Sequence, residues 1–235
     1  MRRTTTAIVA AGLLGMAGWS HAVMIDSYNF GGGTLNSIGP GGSGTDSSTA
    51  AEIIGGTRTL SIPGSEPVDG GNLSFSANEF DSGELRFSLG AGASGSAVIT
   101  WDADGAGLNG LDLSDGGPST FITFNILAID QGFVELRMTV EDTVGSTGFL
   151  EILNAVAGIQ QFTFDDFSGS VDFTMANLIS LEITGTDASD LSMGEIFTSG
   201  PLDAVPVVPE PGSVGLIALA GLALLRLRRR GRAAA

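Results

Sequence analysis

Phe133-Val134-Glu135-Leu136-Arg137-Met138-Thr139-Val140-Glu141 decides the fold class. Val134, Leu136, Met138 and Val140 fall on one side of an extended chain and Glu135, Arg137, Thr139 and Glu141 on the other, the period of two that marks a half-buried strand. Working outward, runs of the same kind span Arg58 to Ile62, Leu73 to Ala77, Glu84 to Leu89, Ser96 to Trp101, Phe121 to Ile129, Phe149 to Leu153, Gln161 to Phe164, Val171 to Thr174 and Leu178 to Thr184. Gly, Asp, Ser and Asn fill the gaps, as turns require. The run from Phe121 is apolar on both faces, which predicts a central strand. About ten short strands at spacings of roughly 8 to 12 residues predict an all-β fold, a β-sandwich or jelly roll. A first strand is expected over Val23 to Tyr28. The Gly/Ser/Thr-rich segment from Tyr28 to Ala50, with Gly31-Gly32-Gly33 and Gly39-Pro40-Gly41-Gly42, reads as a long loop.

Composition narrows the chemistry. The 235 residues include 36 Gly, and 15% are charged, against a usual share of about 25%. Cysteine and lysine are absent, and His21 is the only histidine. Zinc sites of the Cys/His type, disulfide frameworks, thiol proteases and Schiff-base lysines are therefore excluded, and so is a His-dependent triad once His21 is cleaved away. Residues 23–208 hold three Arg (Arg58, Arg86, Arg137) against 25 acids, a net −22. Such a charge repels phosphate backbones and anionic lipid, so no nucleic-acid partner is expected.

The two ends read as addresses. Arg2-Arg3, an apolar stretch from Ala7 to Trp19 and Ser20-His21-Ala22 have the order of a secretory signal helix with cleavage after Ala22, giving a signal peptide over 1–22. Thr4-Thr5-Thr6 after the arginine pair fits Sec export better than the twin-arginine route. At the other end the 23–202 ectodomain passes through a 203–208 linker containing Pro206 into Pro209-Glu210-Pro211, an uncharged run from Ser213 to Leu225, and Arg226, Arg228, Arg229, Arg230 and Arg232. Arginines after a short apolar run hold that end in the cytoplasm and leave the ectodomain outside. Residues 209–235 closely resemble the PEP-CTERM sorting signal of Gram-negative bacteria. That resemblance implies a single transmembrane helix as a transient inner-membrane anchor, an exosortase partner that removes the tail near the Pro-Glu-Pro motif, and delivery to the cell surface or extracellular matrix.

The middle also resembles a group of exported proteins of this class through Ile53-Ile54-Gly55-Gly56-Thr57-Arg58, Trp101-Asp102, Leu111-Asp112-Leu113-Ser114-Asp115-Gly116-Gly117 and Asp172-Phe173-Thr174. The order Phe162-Thr163-Phe164, Asp165-Asp166-Phe167, Asp172-Phe173-Thr174 and Leu178 to Thr184 is similar to the closing strands of galactose-binding-like jelly rolls. Two calcium sites are open on the residues. Asp102-Ala103-Asp104-Gly105 sets two carboxylates two apart before a turn glycine, and Asn109, Asp112 and Asp115 add oxygens, although Leu113 stands where an EF-hand needs Glu. Alternatively Asp26 pairs with Asp187 or Asp190, where jelly rolls of the resembling kind hold Ca2+. Each Asp-Gly is equally a plain turn. Carboxylate pairs that could hydrolyse glycosides arise by chance among 25 acids, and Tyr28 and Trp101 are the only Tyr and Trp outside the signal, so no enzyme is expected. Trp101 shares its parity with Ala97 and Ile99, which points to the core, with a sugar contact as the rival. The expectation is a non-enzymatic surface or biofilm-matrix protein, and the alternative a module that binds exopolysaccharide.

Overall fold

The computed structural model describes residues 23–38, 42–63, 72–130 and 133–201. Their strands are β1 (Met24–Asp26), β2 (Gly33–Ile38), β3 (Gly44–Thr49), β4 (Thr57–Ile62), β5 (Leu73–Ala77), β6 (Leu85–Leu89), β7 (Ser94–Trp101), β8 (Phe121–Asp130), β9 (Phe133–Asp142), β10 (Thr147–Ile152), β11 (Gly158–Thr163), β12 (Ser168–Gly169), β13 (Ala176–Thr186) and β14 (Asp190–Ser199). They form two antiparallel sheets. One runs β11-β8-β14-β6-β5-β2 with β1 added to β14, and the other β12-β10-β9-β13-β7-β4-β3. The fold is an all-β sandwich. The signal helix and the transmembrane helix expected from the sequence lie outside the described residues.

The alternation quoted at the outset does what its period demands. β9 pairs with β10 and β13, and Val134, Leu136, Met138 and Val140 are all buried. β7 alternates without a break, and its Ala97, Ile99 and Trp101 face Leu60 and Leu181 from the flanking strands. The opposing sheet contributes Phe75, Phe87, Ile122, Phe124, Met193 and Ile196. Phe75 and Phe87 meet edge to face with centroids 6.5 Å apart. Each fully buried side chain of this size contributes about 1.5–3 kcal/mol over exposure. Gly185 lets the layers close, because a Cβ there would press on Phe87, Leu89 and Ser189 of the facing side.

Three expectations are corrected, and one strand was not expected. Tyr28 to Ala50 is not one long loop, since β2 and β3 lie inside it. Both are rich in Gly, Ser and Thr because each ends a sheet, where one face and one edge need no apolar residues. Val171 to Thr174 is not a strand. The Asp172 side chain accepts the Thr174 N–H at 2.9 Å and turns the chain into a 3-10 segment, Phe173–Met175, so that Phe173 stacks on Phe164 at 4.1 Å. The first strand is shorter than Val23 to Tyr28, because Tyr28 adopts a left-handed conformation. β14, which joins β8 to β6 and β1, has no counterpart among the predicted strands. Gly194-Glu195 interrupt its alternation at a bulge between Met193 and Ile196.

Candidate functional site

A buried polar cluster is centred on Asp26 at the end of β1. Arg58 Nη1 donates to both of its oxygens at 2.9 and 3.0 Å, Trp101 Nε1 donates to Oδ2 at 2.9 Å, and the Tyr28 N–H donates to Oδ1 at 2.8 Å. Arg58 Nη2 donates to the carbonyls of Phe30 and Gly31, and its guanidinium lies 5.5 Å from the centroid of the Tyr28 ring. Asp26, Tyr28, Arg58 and Trp101 are at most 1% exposed. Burial, and then the Asp26 charge, push the Tyr28 hydroxyl well above the usual range, with Arg58 opposing them. Trp101 therefore packs in the core, as its parity predicts, and the rival reading as a sugar contact falls because no face of the ring is exposed. Asp26 is equally unavailable as a calcium ligand, because Arg58 already neutralises it. Asp190 lies six residues from Ile196, the β14 neighbour of Asp26, a separation of about 20 Å along a strand. Asp187 accepts the Gly92 N–H instead.

The segment after β7 turns tightly. Ala103, Asp104, Asn109 and Asp115 are left-handed, as are Gly105, Gly107, Gly110, Gly116 and Gly117. Gly107 is required where the loop crosses β13, since a Cβ would strike the Asn177 amide while Leu108 N–H donates to the Asn177 carbonyl at 2.7 Å. Asp112 spends its carboxylate on its own turn, accepting Ser114 Oγ at 2.6 Å and the N–H groups of Ser114 and Gly116 at 2.8 and 2.9 Å. The Ser114 hydroxyl holds Asp112 below the usual carboxylate range; burial opposes it, and the Gly116 and Ser114 N–H groups add to the lowering. Among the described residues no group of three or more acidic side chains is arranged to hold a metal ion. Asp104, Asn109 and Asp115 sit at left-handed positions of this loop, and Asp112 is committed to its own turn.

The shared pattern noted in the sequence assembles into fasteners. Gly55 lies against Leu108 and Ala103, Arg58 and Trp101 meet on Asp26, Leu113 N–H donates to the Phe173 carbonyl at 2.8 Å, and Asp172 N–H donates to Asp142 Oδ2 at 3.2 Å. Ala22, Pro209, Glu210, Pro211, Arg226, Arg228, Arg229, Arg230 and Arg232 lie outside the described residues.

An open groove remains where the start of β2 approaches the turn between β5 and β6. It encloses about 430 Å3 and is lined by Gly32, Gly33, Thr34, Asp46, Asn78, Glu79 and Phe80. Asp46 Oδ2 accepts the Thr34 N–H at 2.8 Å and Asn78 Oδ1 accepts the Gly83 N–H at 3.0 Å, which orient both side chains at the rim. Phe80 is 90% exposed, and Asn78, Phe80 and Asp81 are all left-handed, with φ of 52°, 57° and 56°. A bulky residue in that region carries strain. Sequence reading missed this site. Its signals were a phenylalanine inside the turn-forming Asn78-Glu79-Phe80-Asp81-Ser82-Gly83, and three glycines that leave the backbone uncovered.

Neither a family profile nor a curated protein matches the chain. Among solved structures it is similar to the family 11 carbohydrate-binding module of Clostridium thermocellum in solution, at 12% identity and a TM-score of 0.44, over 80% of this chain and 99% of that one. The same module in complex with a β-1,3-1,4-mixed-linked tetrasaccharide is matched at 12% identity and a TM-score of 0.41, over 77% and 96%. An exo-β-agarase is matched at 13% identity and a TM-score of 0.38, over 79% of this chain but 26% of the agarase.

Proposed function

We propose that this chain is an exported surface protein whose sandwich binds carbohydrate, without transforming it, in the groove beside Phe80. The observation that carries the reading is an exposed aromatic ring set next to oriented polar groups. A pyranose presents an apolar C–H face and a rim of hydroxyls. Phe80 supplies a flat apolar surface for the first, and Asp46, Asn78 and Glu79 supply acceptors and donors for the second. Gly32 and Gly33 let a ligand approach the main chain. In this reading the Sec machinery exports the chain, an exosortase removes the tail at Pro209-Glu210-Pro211, and the sandwich then holds exopolysaccharide at the surface or in the matrix.

One preparation tests the whole reading. Protein released from the host surface is weighed and then applied to a glycan array. The mass should correspond to a chain that begins at Val23 and lacks Arg228 to Arg232. Binding should be lost in Phe80→Ala, by about tenfold or more in affinity, and kept in Val144→Ala, whose side chain is exposed on another turn. An intact tail on surface protein defeats the sorting half, and equal binding by Phe80→Ala defeats the site.

A further inference from the structure

We propose that β11 pairs edge to edge, antiparallel, with the β11 of a second copy of this chain, joining two sandwiches through one continuous sheet. The strands that end the two sheet paths are guarded unequally. β12 is two residues long, β3 carries Asp46, and β2 has its Thr34 N–H taken by Asp46 and its register to β5 shifted between Leu35 and Ile38. These are the usual devices against unwanted pairing: brevity, charge, cover and irregularity. β11, Gly158-Ile159-Gln160-Gln161-Phe162-Thr163, is the least guarded: only its last residue, Thr163, has its N–H taken, by Asp166 Oδ2 at 2.7 Å. It carries no charge and no proline, and it pairs with β8 in unbroken register from Gly158↔Ile126 to Thr163↔Phe121.

Charge identifies the occupant. Residues 152–164 and 116–129 contain no ionisable side chain, in an exported part that carries −22 overall. Those two stretches supply β11 and all of β8 up to Asp130, so the uncharged sequence lies together at one side of the molecule. Ile159 is 62% exposed, Val156 62% and Leu127 46%. Leu127 is the diagonal cross-strand neighbour of Ile159, close enough for their side chains to share one patch. A cationic partner would be drawn to the acids elsewhere and would gain nothing from this edge. Another copy, itself at −22, can approach only through a surface that adds no further repulsion. An antiparallel strand edge is also complementary to itself about a two-fold axis, so the contact closes at two.

Because the repulsion lies outside the contact, salt should strengthen the pair, opposite to the behaviour of an ion-paired interface. The test uses the full chain in mild detergent. The chain has no cysteine, so Ile159→Cys and Val144→Cys each carry a single thiol. A short bis-maleimide should link Ile159→Cys into dimers and leave Val144→Cys monomeric. In sedimentation velocity, raising sodium chloride should tighten dimerisation, and Ile159→Arg, at an exposed position, should raise the dissociation constant by about tenfold, equivalent to about 1.4 kcal/mol. Equal linking of the two thiols, unchanged association in Ile159→Arg, weakening by salt, or a monomer at every concentration would each overturn the proposal.

Discussion

The Asp26 cluster and the Phe80 groove each hold a carboxylate and an aromatic ring, and they differ in what is left over. At Asp26 both oxygens are taken by Arg58, with Trp101 and Tyr28 N–H filling the remaining positions, and water is excluded. At the groove, Asp46 holds one internal partner while Phe80 stands in solvent. The residue types are those of a sugar site in both. Only the second has unspent surface, so exposure and free capacity locate the candidate site at Phe80, while Trp101 is spent in the core to which its parity points.

The largest loss of stability is expected at the buried pair. Removing one member leaves an uncompensated charge in the core, so Arg58→Met and Asp26→Asn should each cost about 3–5 kcal/mol, read as a fall in chemical-denaturation midpoint at constant slope. The double variant should cost much less than the sum of the two, because the residues act as one unit. Additive losses would mean that the pair is not coupled and that Asp26 is held by Trp101 and the Tyr28 N–H alone.

The pair also shows how far a sequence can be read. Strands with regular alternation over a two-layer core, such as β7, β9 and β13, were visible because burial imposes the period of two. β14 was hidden by its own bulge, and β2 and β3 by edge positions that demand no apolar residues. Asp26, Arg58 and Trp101 could each be singled out, but they are 32 and 75 positions from one another's contacts, and nothing local indicates that they meet. The groove was illegible for a related reason. Its walls come from three separated segments, and exposure of Phe80 is a property of the assembled turn.

Asp142 stands between the two, a carboxylate withdrawn from solvent but held by the backbone rather than by a cation. Its withdrawal raises its pKa, and the N–H groups of Ser146, Asp172 and Val144 outweigh that effect, so it titrates below the usual range. A depressed folded value means that the carboxylate stabilises fully above its unfolded pKa of about 3.9, and that this contribution disappears as pH falls through the folded value. The stability difference between the native chain and Asp142→Asn should therefore be constant from about pH 7 to pH 5 and shrink below about pH 4. A difference that persists unchanged to about pH 2 would assign the effect to shape rather than charge.

The smallest effect should fall at Phe80, and its sign is informative. A side chain that is 90% exposed contributes little burial, while a left-handed backbone at φ 57° is costly for any residue with a Cβ. Replacing Phe80 by Gly relieves that strain but adds freedom to the unfolded chain, so the net change should be a stabilisation of no more than about 1 kcal/mol. Thermal unfolding would show a midpoint unchanged or raised by a few degrees, while glycan binding is lost. That outcome would make Phe80 the inverse of Arg58: one side chain the fold cannot do without, and one the fold would do slightly better without. A clear loss of stability in Phe80→Gly would instead make the ring a packing element of the β5–β6 turn, and the groove would lose its strongest claim to be a binding site.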